Sequence, residues 1–154
     1  MSDMNTLLTS IRDAISGNAA IKTWTQATYT KDHKVFVGVD TRNPPAESDC
    51  PCVVLSPSEK MGGNSEDVIT HVFNVSCEII EETSTTSGNK VEYDGVQYIE
   101  TFRQKVLAAV NGVAGIRITK VETAYETIMF FPSFMCDMAV TIEQETEFGD
   151  DFVQ

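Results

Sequence analysis

Cys50-Pro51-Cys52 is the closest pairing of metal-seeking side chains in the chain, and His71 and Cys77 follow it. Together the four residues have the right types for a zinc site, with thiolate and imidazole ligands. Their spacing matches no Cys-x-x-Cys knuckle, and an extended segment turns adjacent side chains to opposite faces. The expectation is therefore no metal and no cofactor. Cys77 and Cys136 each sit inside an alternating apolar stretch and read as small buried hydrophobes. Four cysteines would allow two disulfides. The start of the chain has no basic stretch leading into an apolar run, which predicts a reducing cytoplasm and free thiols.

The other reactive groups suggest even less chemistry. His33 and His71 lie far apart, and neither stands in a Ser-His-Asp order. His71 interrupts an apolar face near its start and reads as a histidine at the rim of the core. Glu78, Glu81 and Glu82 cluster in one place, and Glu143, Glu145, Glu147, Asp150 and Asp151 in another. Paired carboxylates can do acid–base work when a pocket separates their pKa values, but alternation and a terminal position suit a solvated face. Gly62-Gly63 lacks the Lys-Ser/Thr of a phosphate loop, and no Gly-x-Ser-x-Gly elbow occurs. These residues predict a protein that is not an enzyme.

The charge narrows the partners. Eleven Lys and Arg stand against 23 Asp and Glu among 154 residues, a net charge of −12. Gripping phosphates takes Lys and Arg, and so does docking on an anionic membrane. Neither is expected. An apolar content of 42% is ordinary for a chain with a proper core.

The elements that would position these residues read as follows. Residues 2–16 place Met4, Leu7, Leu8, Ile11, Ala14 and Ile15 at helical spacing, with Ser2 or Asp3 as cap and Gly17-Asn18 as stop. Residues 19–33 are rich in threonine and read as irregular or strand. Lys34–Asp40 alternates, with Val35, Val37 and Val39 on one face. Pro44-Pro45 then forces a loop. Cys52–Leu55 reads as an interior strand that Ser56-Pro57-Ser58 ends, and Lys60–Ser65 reads as a flexible connection. Asp67–Glu82 is a long strand with Ile69, Phe73, Val75, Cys77 and Ile79 on one face. Thr83–Asn89 is a polar linker or hairpin tip. A second helix follows, capped by Asp94, with Val96, Ile99, Phe102, Val106, Ala109 and Val110 as its buried stripe. Residues 116–127 and 133–146 are the last strands, the first with a bulge near Thr119. The resulting fold class is α+β: a mixed, mainly antiparallel sheet with two helices packed on one face. Residues 1–146 form one domain and 147–154 an acidic tail.

One run of segments carries a family resemblance. A short N-terminal helix precedes Pro51-Cys52-Val53-Val54-Leu55-Ser56-Pro57, an apolar strand flanked by prolines. A polar loop, the long strand Val68–Glu81, the helix Gly95–Asn111 and the Phe131-Pro132 junction before a terminal strand complete the order. Over roughly residues 4–146 this resembles the tail-terminator, or tail-completion, proteins of long-tailed bacteriophages and related prophage tails. The likeness rests on element order, since that family has no chemical motif.

The resemblance implies a structural virion protein, assembled in the host bacterial cytoplasm. Such proteins form a homo-hexameric ring that caps the tail tube, stops its polymerisation and meets the head–neck proteins. DNA passes through the lumen without specific binding, and no catalytic residue is implied. An acidic lumen would suit that passage, because like charge keeps DNA from sticking. Contacts with other subunits or with the tube are expected from the loop and the tip, at Lys60, Met61, Asn64, Glu66, Thr85, Asn89 and Tyr93. Alternative readings are another neck, connector or tube protein, a small metal- or ligand-binding α+β domain, or an enzyme using the acidic cluster.

Overall fold

A computed structural model describes residues 3–62 and 68–145. Two short helices come first. In α1 (Met4–Ser16), the Asp3 carboxylate accepts from the Thr6 amide at 2.7 Å and caps the first turn. Leu7, Ile11 and Ile15, four residues apart, are buried. Each such side chain contributes about 1.5–3 kcal/mol when taken fully out of water.

Gly17 closes α1, and Asn18 immediately caps α2 (Ala19–Tyr29), its Oδ1 accepting from the Ile21 amide at 2.9 Å. The threonine-rich segment is thus a helix, against the expectation of irregular or strand structure. Packing overrides the β preference of threonine. Ile21 is buried, and the buried Thr25 hydroxyl is satisfied by donating to the Lys22 carbonyl at 3.2 Å. Trp24 lies flat on Phe102 of α3 (Asp94–Asn111), with ring centroids 5.7 Å apart. The chain therefore has three helices among the described residues rather than two.

Five strands form the main sheet: β1 (Lys34–Val37), β2 (Cys52–Met61), β3 (Val68–Ile80), β6 (Arg117–Glu126) and β7 (Ser133–Glu145), in the order β1-β2-β3-β7-β6. Only β1 and β2 run parallel; the other pairs are antiparallel. β4 (Ser84–Ser87) and β5 (Lys90–Tyr93) make a separate exposed hairpin. Its two-residue turn is Gly88-Asn89, and Gly88 takes the positive φ of 62° that such a turn needs at its first position. The α+β class and the mixed, mainly antiparallel sheet agree with the sequence.

The core follows from alternation. Val53 and Leu55 of β2, Phe73 to Ile79 of β3 and Phe134 to Ile142 of β7 enter one cluster with α1, α2 and α3 at every second position. The bulge in β6 falls between Ile118 and Lys120, as Ile116, Ile118 and Val121 require.

Several details differ from the sequence reading. β2 does not end at Ser56-Pro57-Ser58 but continues to Met61, absorbing the proline through a register shift between Pro57 and Glu59. Lys60 and Met61 are therefore strand residues. β1 stops at Val37, and Val37 and Val39 are about half exposed, because this short strand lies at the sheet edge. Asp94 is the first residue of α3 rather than its cap. Its carboxylate instead accepts from the Thr83 and Thr85 hydroxyls, at 2.6 and 3.2 Å, and ties down the hairpin. Val96 is half exposed, and Gly95 takes its place on the buried stripe. His71 is fully buried beside Phe73 rather than at the rim. The acidic segment 147–154 lies outside the described residues.

Candidate functional site

Two places in the structure gather side chains beyond what the core needs. The first is an apolar tip. β6 and β7 are joined by 127–132, where Ile128 is 85% exposed and Met129 75%. Phe130 and Phe131 are about half exposed. The Phe131 ring stands edge-on to Tyr93 at 5.6 Å and edge-on to Phe134 at 6.2 Å. Tyr93 ends the hairpin and leads into α3, so hairpin, helix start and loop converge. They border a cleft of about 470 Å³ lined by Tyr93, Val96, Thr127, Ile128, Phe131 and Phe134. Ile128 and Met129 lie too far in solvent to serve the monomer's core, and Phe130 and Phe131 leave about half of their surface uncovered. Exposed apolar area of this kind marks interaction surfaces.

The second is a thiol cluster. Cys52 lies directly opposite Glu78 in the β2–β3 ladder, and opposed residues share a face. Cys50 precedes it by two positions, and its Sγ is 3.9 Å from that of Cys52. Both cysteines are buried. A hydrogen bond with Cys52, together with burial, pushes the Cys50 thiol well above its ordinary pKa, and the Glu78 charge adds to this. The Ser133 hydroxyl donates to Glu78 at 2.6 Å. Cys50, Cys52 and Glu78 offer three ligating atoms within 4.8 Å of one another.

The sequence-selected zinc set is only half assembled. Cys77 pairs with Cys136 across β3 and β7 on the core side, in the same cluster as Val53 rather than beside Cys52. His71 is six residues further along β3, roughly 20 Å at the usual strand rise. The structure substitutes Glu78 for both. The link from Cys52 to Glu78 crosses 26 positions through strand register, which no local spacing reveals.

The expected contact residues separate into two ends of the sheet. Thr85, Asn89 and Tyr93 belong to the hairpin, beside the apolar tip. Lys60 and Met61 pair with His71 and Thr70 near the opposite end of β3. Asn64 and Glu66 lie outside the described residues. Of the carboxylates, Glu81 accepts from the Thr83 amide, and Glu143 pairs with Arg117.

A further ionic group, unanticipated from sequence, joins α3 to β6. Glu100 accepts from Arg103, Gln104 and the Tyr125 hydroxyl. The Arg103 guanidinium holds the Glu100 carboxyl down to a pKa of about 2. Arg103 also reaches the Met138 sulfur at 3.8 Å. These contacts lock helix to sheet. Among the described residues, no helix is long and apolar enough to cross a membrane.

No protein-family model matches the chain, and a search of curated proteins gives no match either.

Proposed function

We propose that the chain is a structural subunit of a phage tail, a terminator that assembles as a ring on the end of the tail tube, halts its growth and joins it to the neck. The observation that carries this reading is the apolar tip at Ile128–Phe131 on a chain of net charge −12. A strongly acidic surface keeps chains apart, so a concentrated apolar surface is where a specific contact would form. Its occupant in this reading is the neighbouring copy of the same chain.

Further features support it. The outer strands β1 and β6 each have one sheet neighbour, and a heterologous ring covers such edges with the next subunit. The reading also expects helices on one face of the sheet. In its favour, the core positions of β2, β3 and β7 lie opposite one another in the ladders, Val53 to Cys77 and Cys77 to Cys136, and so share one face. The hairpin and the Lys60–Met61 end give the subunit contact points at both ends of β3, suited to tube and neck. DNA would pass through the ring unbound.

A second reading, a small metal-binding domain, is favoured by the thiol cluster, and the two readings are compatible. The deciding experiment is imaging of tails assembled with and without this chain, together with its mass in solution. Tubes of unregulated length in its absence, and a hexamer in solution or on tubes, are the expected results. Normal tails in its absence would overturn the proposal.

A further inference from the structure

We propose that Cys50, Cys52 and Glu78 form a binding site for a thiophilic divalent metal ion of the zinc class. The site does not depend on the assembly reading; it rests on side-chain geometry alone.

The distances suit the ion. Two sulfurs bound to one tetrahedral zinc at about 2.3 Å stand roughly 3.8 Å apart. Cys50 and Cys52 already hold theirs at 3.9 Å. A carboxylate oxygen at about 2.1 Å from the metal would stand roughly 3.6 Å from each sulfur. All three ligating atoms lie within 4.8 Å, so closing the site takes movements of about 1 Å or less. Two thiolates and one carboxylate also select the metal: magnesium and calcium take all-oxygen shells, whereas sulfur favours zinc and its softer neighbours. Solvent would supply the fourth ligand. The two thiol protons leave to buffer as the ion binds.

The surroundings hold the ligands in place. Ser133 orients the Glu78 carboxylate, the outer-partner arrangement that tunes metal sites. The turn that carries Cys50 is fastened on several sides. Asp49 accepts from the Ala46 amide at 2.8 Å and from Lys34 at 2.7 Å. Lys31 donates to the Ser48 carbonyl at 3.0 Å. The other close cysteine pair makes the contrast. Cys77 and Cys136 face each other in the apolar core, and among the described residues no carboxylate or imidazole joins them as a third ligand.

The test uses the full chain, purified in reductant and stripped with chelator. Zinc ion alone is titrated against a chromophoric chelator, and cobalt ion replaces it for absorption spectra. One ion per chain is expected, with sulfur-to-cobalt charge-transfer absorption. Cys50→Ser and Cys52→Ser should each weaken zinc binding by at least about 100-fold, beyond the roughly 10–100-fold that outer partners contribute. Glu78→Gln keeps the side chain's shape and should keep the charge-transfer band while weakening binding at least tenfold, about the low end of that range. Circular dichroism verifies that each variant is folded, and Cys136→Ser should bind as the native chain does. Failure of the native chain to bind one ion would overturn the proposal. So would binding that Cys50→Ser and Glu78→Gln both leave unchanged, or a Cys50–Cys52 disulfide persisting in reductant.

Discussion

The ring of Phe134 fills the space where Gly95 would carry a side chain: a Cβ at that position would stand 2.2 Å from Cε2 of the ring. Phe134 is itself buried at the start of β7, so it has little room to yield. This contact sets how closely α3 approaches the sheet. Gly95→Ala gains up to about 1 kcal/mol in helix propensity. It also forces an overpacked contact costing about 1–3 kcal/mol. Net destabilisation is expected, read as a lower urea midpoint with an unchanged slope. A variant as stable as the native chain would mean that α3 and β7 are less tightly apposed than this geometry requires.

Trp24 presents the equivalent test for α2. It stacks on Phe102 and meets Tyr29 and Tyr98 edge-on, at 5.7 and 6.3 Å. The helix has few other anchors: Ile21 and Thr25 are its buried residues. Trp24→Ala should therefore cost about 2–3 kcal/mol, between the value of an aromatic pair and that of a fully buried tryptophan. Trp24→Phe, which keeps a stacking ring, should cost less. Thermal unfolding of the pair checks this, and equal losses would show that the ring stack is not what holds α2.

α2 also shows where sequence reading stops. Thr23, Thr25, Thr28 and Thr30 carry a β preference, and the helical spacing of Ile21, Trp24 and Ala27 is short enough to be outweighed by it. What decides is a partner far along the chain, Phe102. The long strands were readable because one face is buried throughout: β3 from Ile69 to Ile79 and β7 from Phe134 to Ile142 alternate without a break. The extent of β2 was not, because a proline normally ends a central strand and here falls at a bulge. The apolar tip did leave a signal. Ile128-Met129-Phe130-Phe131 is an apolar run between two strands, and such a run outside an element is either an error or an interface. The thiol cluster left only half a signal, since Glu78 joins Cys50 and Cys52 through strand register alone.

Acid should reveal the Glu100 network. The folded carboxyl titrates at about 2, below its ordinary 4.5, chiefly because Arg103 donates to it. A lowered folded pKa adds stability that is complete above the unfolded value and lost as pH falls from about 4.5 towards 2. The Glu100 side chain is 35% exposed, so solvent screening limits its contribution to about 1 kcal/mol or less. Glu100→Gln should therefore be slightly less stable than the native chain at neutral pH, and the gap should close between pH 4.5 and 2. Paired thermal melts across that range measure it. A gap that stays constant with pH would assign the loss to packing rather than to charge.

The apolar tip separates folding from assembly. Ile128 and Met129 lie 85% and 75% in solvent, so neither supports the monomer's core. Ile128→Asp and Met129→Asp should change unfolding free energy by no more than about 0.5 kcal/mol, as exposed substitutions do. Their effect on association should be large. Each places a charge in a surface that would be desolvated against a neighbouring copy, and an unpaired buried charge is strongly unfavourable. Sedimentation of native and variant chains, alone and with tail tubes, reads this directly. The expected outcome is a folded variant that no longer assembles. Variants that assemble normally would place the subunit contact elsewhere, on the sheet edges at β1 and β6 or at the hairpin, and would remove the tip from the proposed ring.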